Sequence, residues 1–112
     1  MSDSKIRAII KRPDEEYGHV TNIANNLKNL QRTVEGYIET LSYMGDLSTD
    51  TGSFVVICNE EGRIRNLPFN CWIGGNDFYG TIIVVEAKGD EFTDLTMSMK
   101  SWKRLVDMNR HT

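Results

Sequence analysis

A continuous apolar run, SFVVIC, occupies Ser53–Cys58 of this 112-residue chain. An unbroken apolar run of strand length predicts a central strand that is buried on both faces of a sheet. Gly80–Ala87 (GTIIVVEA) contains a second run of this kind and carries the strongest strand signal in the chain. Both runs are much shorter than the ~18–20 residues of a membrane-spanning helix, so no membrane association is predicted.

Shorter strands are predicted on either side of these runs. Lys5–Lys11 alternates imperfectly between apolar and basic residues, which predicts a half-buried strand with its basic face in water. Tyr17–Ile23 alternates again after a turn at Pro13, so these two strands form a first hairpin. Tyr37–Tyr43 is predicted as a further strand. Arg63–Arg65 is predicted as a short strand that forms a second hairpin with the central run.

Two amphipathic helices are predicted. The first begins after the N-cap candidate Asn26 and ends before Gly36, which suits the left-handed position just past a helix end. The second spans Thr96–Met108, and Trp102 lies in its apolar face. We expect Trp102 to dock on the sheet. The stretch 66–76 is predicted as a loop because it contains Pro, Asn and a Gly pair.

The predicted element order is β-β-α-β-β-β-β-α. This order indicates an α+β fold, a single compact domain with a mainly antiparallel twisted sheet and two helices. A chain of 112 residues is the size of one domain, so the whole chain 1–112 is assigned to it, with an ordered core of about 5–108. The charged fraction of 26% is typical of a folded domain and argues against wholesale disorder.

The charge of the chain is slightly acidic and unevenly distributed. A formal net charge of −3 excludes the strongly basic surface of a general nucleic-acid binder. No Lys or Arg occurs between Arg32 and Arg63. We interpret the acidic 35–61 region either as a surface for a cationic partner or as charges that pair with the basic ends of the chain. The carboxylates of this region are Glu35, Glu39, Asp46, Asp50, Glu60 and Glu61.

The sequence predicts no catalytic or metal site. Cys58 and Cys71 are the only cysteines, and with two histidines they are too few and too widely spaced for zinc. Neither a phosphate-binding loop nor a nucleophile elbow is present. Cys58 is expected in the core, and Cys71 in a partly exposed loop. No cofactor is predicted, and the chain is predicted not to be an enzyme.

A binding site for a small anion is the better-supported chemistry. Arg63 and Arg65 lie two residues apart on a predicted strand, so both would project from one face toward a phosphate or carboxylate. Nearby aromatic and amide side chains could stack a base and bond its polar edge. Alternatively, the arginines form a solvated face and the aromatics cover the core. The predicted ligand-binding residues are Arg63, Arg65, Phe69, Asn70, Trp72 and Thr81.

Several short blocks of the sequence resemble a family of small domains of unknown function that occur in phages, plasmids and the bacteria that carry such elements. The resemblance extends over roughly residues 5–107. It implies a compact α+β domain of mobile-element origin and carries over no catalytic residue. The blocks are EGYIE (35–39), VICNEEG (56–62), LPFN (67–70), GT (80–81) and DLT (94–96).

The resulting prediction is a non-catalytic binding protein of phage or mobile-element origin in the cytoplasm of the bacterial host. It would counteract host defence by sequestering a small anionic, nucleotide-type signal. One alternative is an inhibitor that binds a host protein through the acidic 35–61 region or the C-terminal amphipathic helix. A second alternative is an enzyme that degrades a nucleotide signal. A homodimer or higher oligomer is expected, through a sheet edge or through the helix face of Met99, Trp102 and Leu105.

Overall fold

The computed structural model describes residues 4–110, so the two ends of the predicted 1–112 domain lie outside the described residues. Neither helix in this range is long and apolar enough to cross a membrane. The elements are β1 (Lys5–Lys11), β2 (His19–Ala24), α1 (Leu27–Val34), β3 (Ile38–Met44), β4 (Ser53–Asn59), β5 (Phe69–Ile73), β6 (Asn76–Tyr79), β7 (Ile82–Lys88), β8 (Glu91–Thr93) and α2 (Met99–Met108).

The main sheet is antiparallel throughout and has the strand order β2-β1-β7-β4-β3. The short β8 pairs with the end of β7, and β5 with β6 forms a separate two-stranded hairpin. The two apolar runs of the sequence are neighbours, since Val56 of β4 pairs with Val84 of β7. The predicted α+β fold, with its antiparallel sheet and two helices, is therefore confirmed.

Both faces of the sheet are covered. Helix α1 packs on one face through Leu30 and Val34, while α2 and the β5–β6 hairpin pack on the other. Val56 and Ile57 are fully buried on opposite faces, which confirms that β4 is a central strand. Trp102 is fully buried against the sheet, and its indole Nε1 donates to the Tyr17 carbonyl at 2.7 Å. The docking of α2 through Trp102 is therefore confirmed.

Two consequences of this packing correct expectations from the sequence. Because the apolar face of α2 is buried on the sheet, it is not available for a dimer interface or for a host protein. The second layer also covers the face of β1 that was expected in water. Ile9 is fully buried, and Lys11 has only 2% of its surface exposed.

The segment after β4 also differs from the sequence-based prediction. Residues 60–66 form successive turns, closed by bonds such as Leu67 N to the Gly62 carbonyl at 2.9 Å. The predicted strand Arg63–Arg65 is therefore wrong. The predicted loop over 66–76 is wrong as well, because β5 and the start of β6 lie there. Cys71 is on β5 and is buried, with 7% exposure, instead of lying in a partly exposed loop.

The end of α1 uses a different residue in the left-handed conformation than expected. Glu35 has φ of 65° and forms the C-cap, whereas Gly36 does not have a positive φ. A Cβ on Gly36 would lie 2.7 Å from Asn59 Nδ2 and 3.0 Å from Arg65 Nη1. Glycine is needed at this position because neighbouring side chains approach the backbone closely.

Candidate functional site

A cleft of about 270 Å³ opens between the β1–β2 turn, strand β5 and the C-terminal end of α2. It is lined by the buried residues Lys11, Asn70 and Cys71 and by the aromatic residues Phe69 and Trp72. We call it the Lys11 cleft. Lys11 reaches it because β1 ends at this residue, immediately before the turn at Pro13.

Lys11 is buried and forms no ion pair within residues 4–110, although the carboxylates of Glu15 and Asp14 act on it from farther away. Its Nζ donates to Asn70 Oδ1 at 2.7 Å, and no carboxylate of residues 4–110 lies within 4 Å of it. An ammonium group has three N–H donors, so Nζ has donor capacity beyond the bond to Asn70. Burial lowers the pKa of Lys11, since removal from water disfavours the charged form. An anion in the cleft would stabilise this charge.

Asn70 holds Lys11 in position. Its Nδ2 donates to the Lys11 carbonyl and to the Gly80 carbonyl, both at 2.8 Å. With the bond that Oδ1 accepts from Nζ, this amide uses both its oxygen and its nitrogen within the protein. Asn70 therefore positions the lysine and fastens the β5–β6 hairpin to β1. Both Nδ2 donors are used within the protein, so only Oδ1, which can accept a second hydrogen bond, could bond the edge of a base.

The aromatic side chains form a cluster beside the lysine. The ring centroid of Phe69 is 4.5 Å from that of Trp72 and 5.5 Å from that of Tyr79. Phe69 is 37% exposed. Phe69 and Pro13 also line a second cleft of about 570 Å³, which contains Thr81. Phe69 thus presents apolar surface to two neighbouring clefts.

The rim of the Lys11 cleft carries charges of both signs. Arg110 bonds Glu16 at 3.1 Å and Asp107 at 3.2 Å. Glu15 accepts from the Arg12 amide at 2.9 Å and contacts the His19 ring at 3.0 Å. The rim carboxylates are therefore paired with rim cations or backbone donors, so they offset the positive charge of Lys11 only in part.

The two predicted phosphate-binding arginines are not brought together. Arg63 bonds Asp77 and lies over the Tyr79 ring, 5.1 Å from its centroid. Arg65 Nη1 donates to the Glu35 carbonyl at 2.7 Å and so caps the end of α1. Each arginine lines a different cleft, and neither cleft is the Lys11 cleft. Phe69, Asn70 and Trp72 do come together there, while Thr81 lies on the far side of Phe69.

The two cysteine thiols are expected to be unreactive in the folded protein. Burial raises the pKa of both Cys58 and Cys71 to about 11, so both are protonated at neutral pH. Among residues 4–110, no three His, Cys, Asp or Glu side chains are grouped closely enough to hold a metal ion. The distinctive group in the cleft is therefore the Lys11 amine.

Residues 6–107 match DUF3846, a family described as a domain of unknown function. The chain belongs to the DUF3846 family. This confirms the resemblance to a domain of unknown function that the sequence blocks indicated. No curated protein and no solved structure matches the chain.

In this DUF3846 domain, the blocks that carry the resemblance meet in pairs. Asn59 of VICNEEG donates to the Val34 carbonyl at 2.9 Å and lies against Gly36 of EGYIE. Asn70 of LPFN donates to the carbonyl of Gly80 in GT. Asn59 and Asn70, which belong to the blocks that carry the resemblance, therefore connect separate segments of the chain.

The DLT block contributes to a buried carboxylate site of the DUF3846 domain. Thr96 donates its amide and its hydroxyl to Glu86 Oε2, and Thr51 donates its amide and hydroxyl to Oε1. Glu86 is fully buried. Burial alone would raise its pKa, but these hydrogen bonds outweigh burial and lower it, so the group is an anion at neutral pH. This site joins β7 to the segments before β4 and before α2.

Proposed function

We propose that this DUF3846 domain is a non-catalytic binding protein whose Lys11 cleft takes a small anion with a flat ring, as in a nucleotide-type signal. The observation that carries the proposal is the buried Lys11 ammonium with no carboxylate within 4 Å among residues 4–110. Buried charges in proteins are normally paired. A phosphate or carboxylate in the cleft would give Lys11 the direct anionic partner that it lacks among these residues.

The aromatic neighbours favour a ligand with a ring. Phe69 and Trp72 line the same cleft as Lys11, and aromatic faces stack with nucleobases of any kind. The 270 Å³ of the Lys11 cleft suits one portion of such a ligand. The cleft on the other side of Phe69, which contains Thr81, offers space for the remainder. Arg63 and Arg65 line other clefts, so neither is expected to contact this ligand.

The proposed biological setting follows the resemblance. A domain of phage or mobile-element origin in the cytoplasm of a bacterial host would counteract host defence by sequestering the signal without degrading it. We include a homodimer in this proposal. Its interface is a sheet edge, since the alternative face on α2 is buried.

Calorimetric titration against mono-, di- and cyclic nucleotides tests the proposal. Lys11→Met keeps the length of the side chain and removes its charge. Losing a hydrogen bond to a charged group should weaken binding about tenfold to a hundredfold. Phe69→Ala should also weaken binding, and it serves as the second variant if Lys11→Met fails to fold. The control is the double variant Arg63→Ala/Arg65→Ala, which should keep wild-type affinity.

The outcomes separate the competing functions. The absence of heat with every nucleotide, or equal affinity in wild type and both cleft variants, contradicts the proposal. Mass spectrometry of the released ligand distinguishes sequestration, which returns it intact, from the enzyme alternative. The host-protein alternative would use Glu39 and Glu60, which line an open cleft of about 500 Å³ together with Leu41 and residues of the β5–β6 hairpin. That acidic, partly apolar cleft suits a cationic side chain of a partner.

A further inference from the structure

Strand β3 is an edge of the main sheet, and β4 is its one neighbour among the described strands. In an antiparallel pair, successive residues direct their backbone groups alternately toward and away from the partner strand. The Tyr37 carbonyl accepts from the Glu60 amide at 2.9 Å, in register with the β3–β4 ladder. Odd-numbered residues of β3 therefore face β4. The residues that direct N–H and C=O outward are Ile38, Thr40, Ser42 and Met44.

This edge lacks several of the features by which sheet edges commonly avoid pairing. Strand β3 contains no Lys and no Pro, and its register runs without a bulge from Ile38↔Asn59 to Met44↔Ser53. Exposed apolar side chains lie at and just after its C-terminal end. Met44 is 80% exposed and Leu47, in the following loop, is 99% exposed. An edge without Lys, Pro or a bulge, next to exposed apolar side chains, indicates a strand-pairing interface.

The opposite edge of the sheet, β2, is partly closed. Asn25 N donates to the Ser4 carbonyl in register with β1, so the outward residues of β2 are Val20, Asn22 and Ala24. The Ala24 carbonyl already accepts from Asn26 N at 3.1 Å and from Asn29 Nδ2 at 3.0 Å. On β2, two outward residues therefore keep both backbone groups available for pairing with another strand, compared with four on β3.

We propose that β3 pairs with β3 of a second copy of this chain, antiparallel, about a two-fold axis at Leu41. This register overlaps all seven residues of the strand and joins the outward groups in about eight backbone hydrogen bonds. Ile38 faces Met44 of the second copy, Thr40 faces Ser42, and Leu41 faces its own counterpart. Glu39, the single charged residue of the strand, faces Tyr43 and no like charge.

This interface rests on the homodimer included in the proposed function, but it is separable from ligand binding. No residue of β3 lines the Lys11 cleft. The dimer would extend the antiparallel sheet continuously across the two-fold axis and leave both clefts open. Ligand titration and oligomeric state therefore report on different surfaces, and either proposal can fail alone.

A charge-reversal pair tests both the interface and its register. Thr40→Lys/Ser42→Lys places lysines opposite one another at two positions of the pairing, whereas Thr40→Lys/Ser42→Glu places opposite charges there. Both side chains are exposed, so either variant should fold. Sedimentation of each protein across a concentration series gives the dimer dissociation constant. Asn22→Lys, at the outward edge of β2, is the matched control.

We expect wild type, Asn22→Lys and Thr40→Lys/Ser42→Glu to dimerise. The lysine pair should raise the dissociation constant about tenfold or more. A wild type that is monomeric throughout the series overturns the proposal, and so does a lysine-pair variant that dimerises as well as wild type. If both β3 variants dissociate equally, the assigned register is wrong. Thermal unfolding of each variant confirms that dissociation does not reflect loss of the fold.

Discussion

Replacing Glu86 by glutamine preserves the shape of the side chain but removes its charge and one of its two acceptor oxygens. In the native protein each oxygen accepts from the amide and hydroxyl of one threonine, Thr51 or Thr96. A glutamine amide can serve one threonine with its oxygen. Its NH₂ group then faces the backbone N–H of the other, which loses its acceptor inside the protein.

The size of the effect follows from these contacts. A buried donor left without an acceptor costs ~1–3 kcal/mol. The bonds that remain also weaken because they are no longer made to a charged group. Removing the desolvation cost of the buried charge offsets part of this loss. We expect a net destabilisation of about 1–3 kcal/mol, which lowers the thermal midpoint of a domain this size by at least about 4 °C.

The effect should depend on pH with a definite sign. Because hydrogen bonding holds the pKa of Glu86 below its value in the unfolded chain, its stabilisation is fully present above the unfolded pKa. It is lost as the pH falls through the folded pKa. Urea unfolding should therefore show a difference in the free energy of unfolding between wild type and Glu86→Gln at neutral pH. This difference should narrow as the pH is lowered to about 3.

A control and a clear refutation are available. Glu91→Gln changes an exposed carboxylate of β8 and should leave stability within ~0.5 kcal/mol of wild type. If Glu86→Gln behaves like this control at neutral pH, the buried carboxylate does not fasten the three segments. If the difference in the free energy of unfolding stays constant on acidification, the charge of Glu86 does not contribute to stability.

Two further predictions concern the end of α1 and the thiols. Gly36→Ala should destabilise the protein by about 1 kcal/mol or more, because the new Cβ displaces Asn59 from the Val34 carbonyl. Glu35→Gly should be neutral or stabilising, because it relieves a left-handed φ. Urea unfolding measures both free energies, and a larger loss for Glu35→Gly than for Gly36→Ala would contradict this explanation. Cys58 and Cys71 should react with iodoacetamide only after unfolding, since both are buried and their pKa values are raised to about 11. Rapid alkylation of either thiol in native buffer, detected by mass spectrometry, would contradict this.

Long, regular patterns in the sequence were sufficient to predict most of the fold. The apolar runs in β4 and β7 and the helical spacing around Trp102 placed these elements close to where they lie. The alternation of Arg63–Arg65 is too short to distinguish a strand from successive turns. The β5–β6 hairpin was missed because Pro68 and the polar residues around its Gly-Gly turn resemble a loop, and the packing of Phe78 and Ile73 against the sheet overrides that local signal.

The site was predicted only in part, for a related reason. Phe69 and Trp72 were identified by residue type, but the role of Lys11 depends on a second layer that its own strand does not encode. One signal was available, since Ile9 is apolar and shares the face of Lys11 between Arg7 and the turn. That face could not be assigned to the core without knowing that the hairpin and α2 cover it. Arg63 and Arg65 were separated by the same turns that replaced the predicted strand.

The order of strands in the sheet has a consequence for synthesis on the ribosome. Ile9 of β1 pairs with Val84 of β7, 75 positions later in the chain. At the usual rate of ~5–20 residues per second, β1 waits roughly 4–15 s for this neighbour. Until then, helix α1 can cover one face of the β1–β2 hairpin, but the free edge of β1 and the apolar Ile9 on its other face stay uncovered. A two-stranded hairpin is marginally stable in water without further strands or packing. A message truncated before β7 would therefore yield an aggregation-prone fragment, and chaperone protection is most needed during this interval.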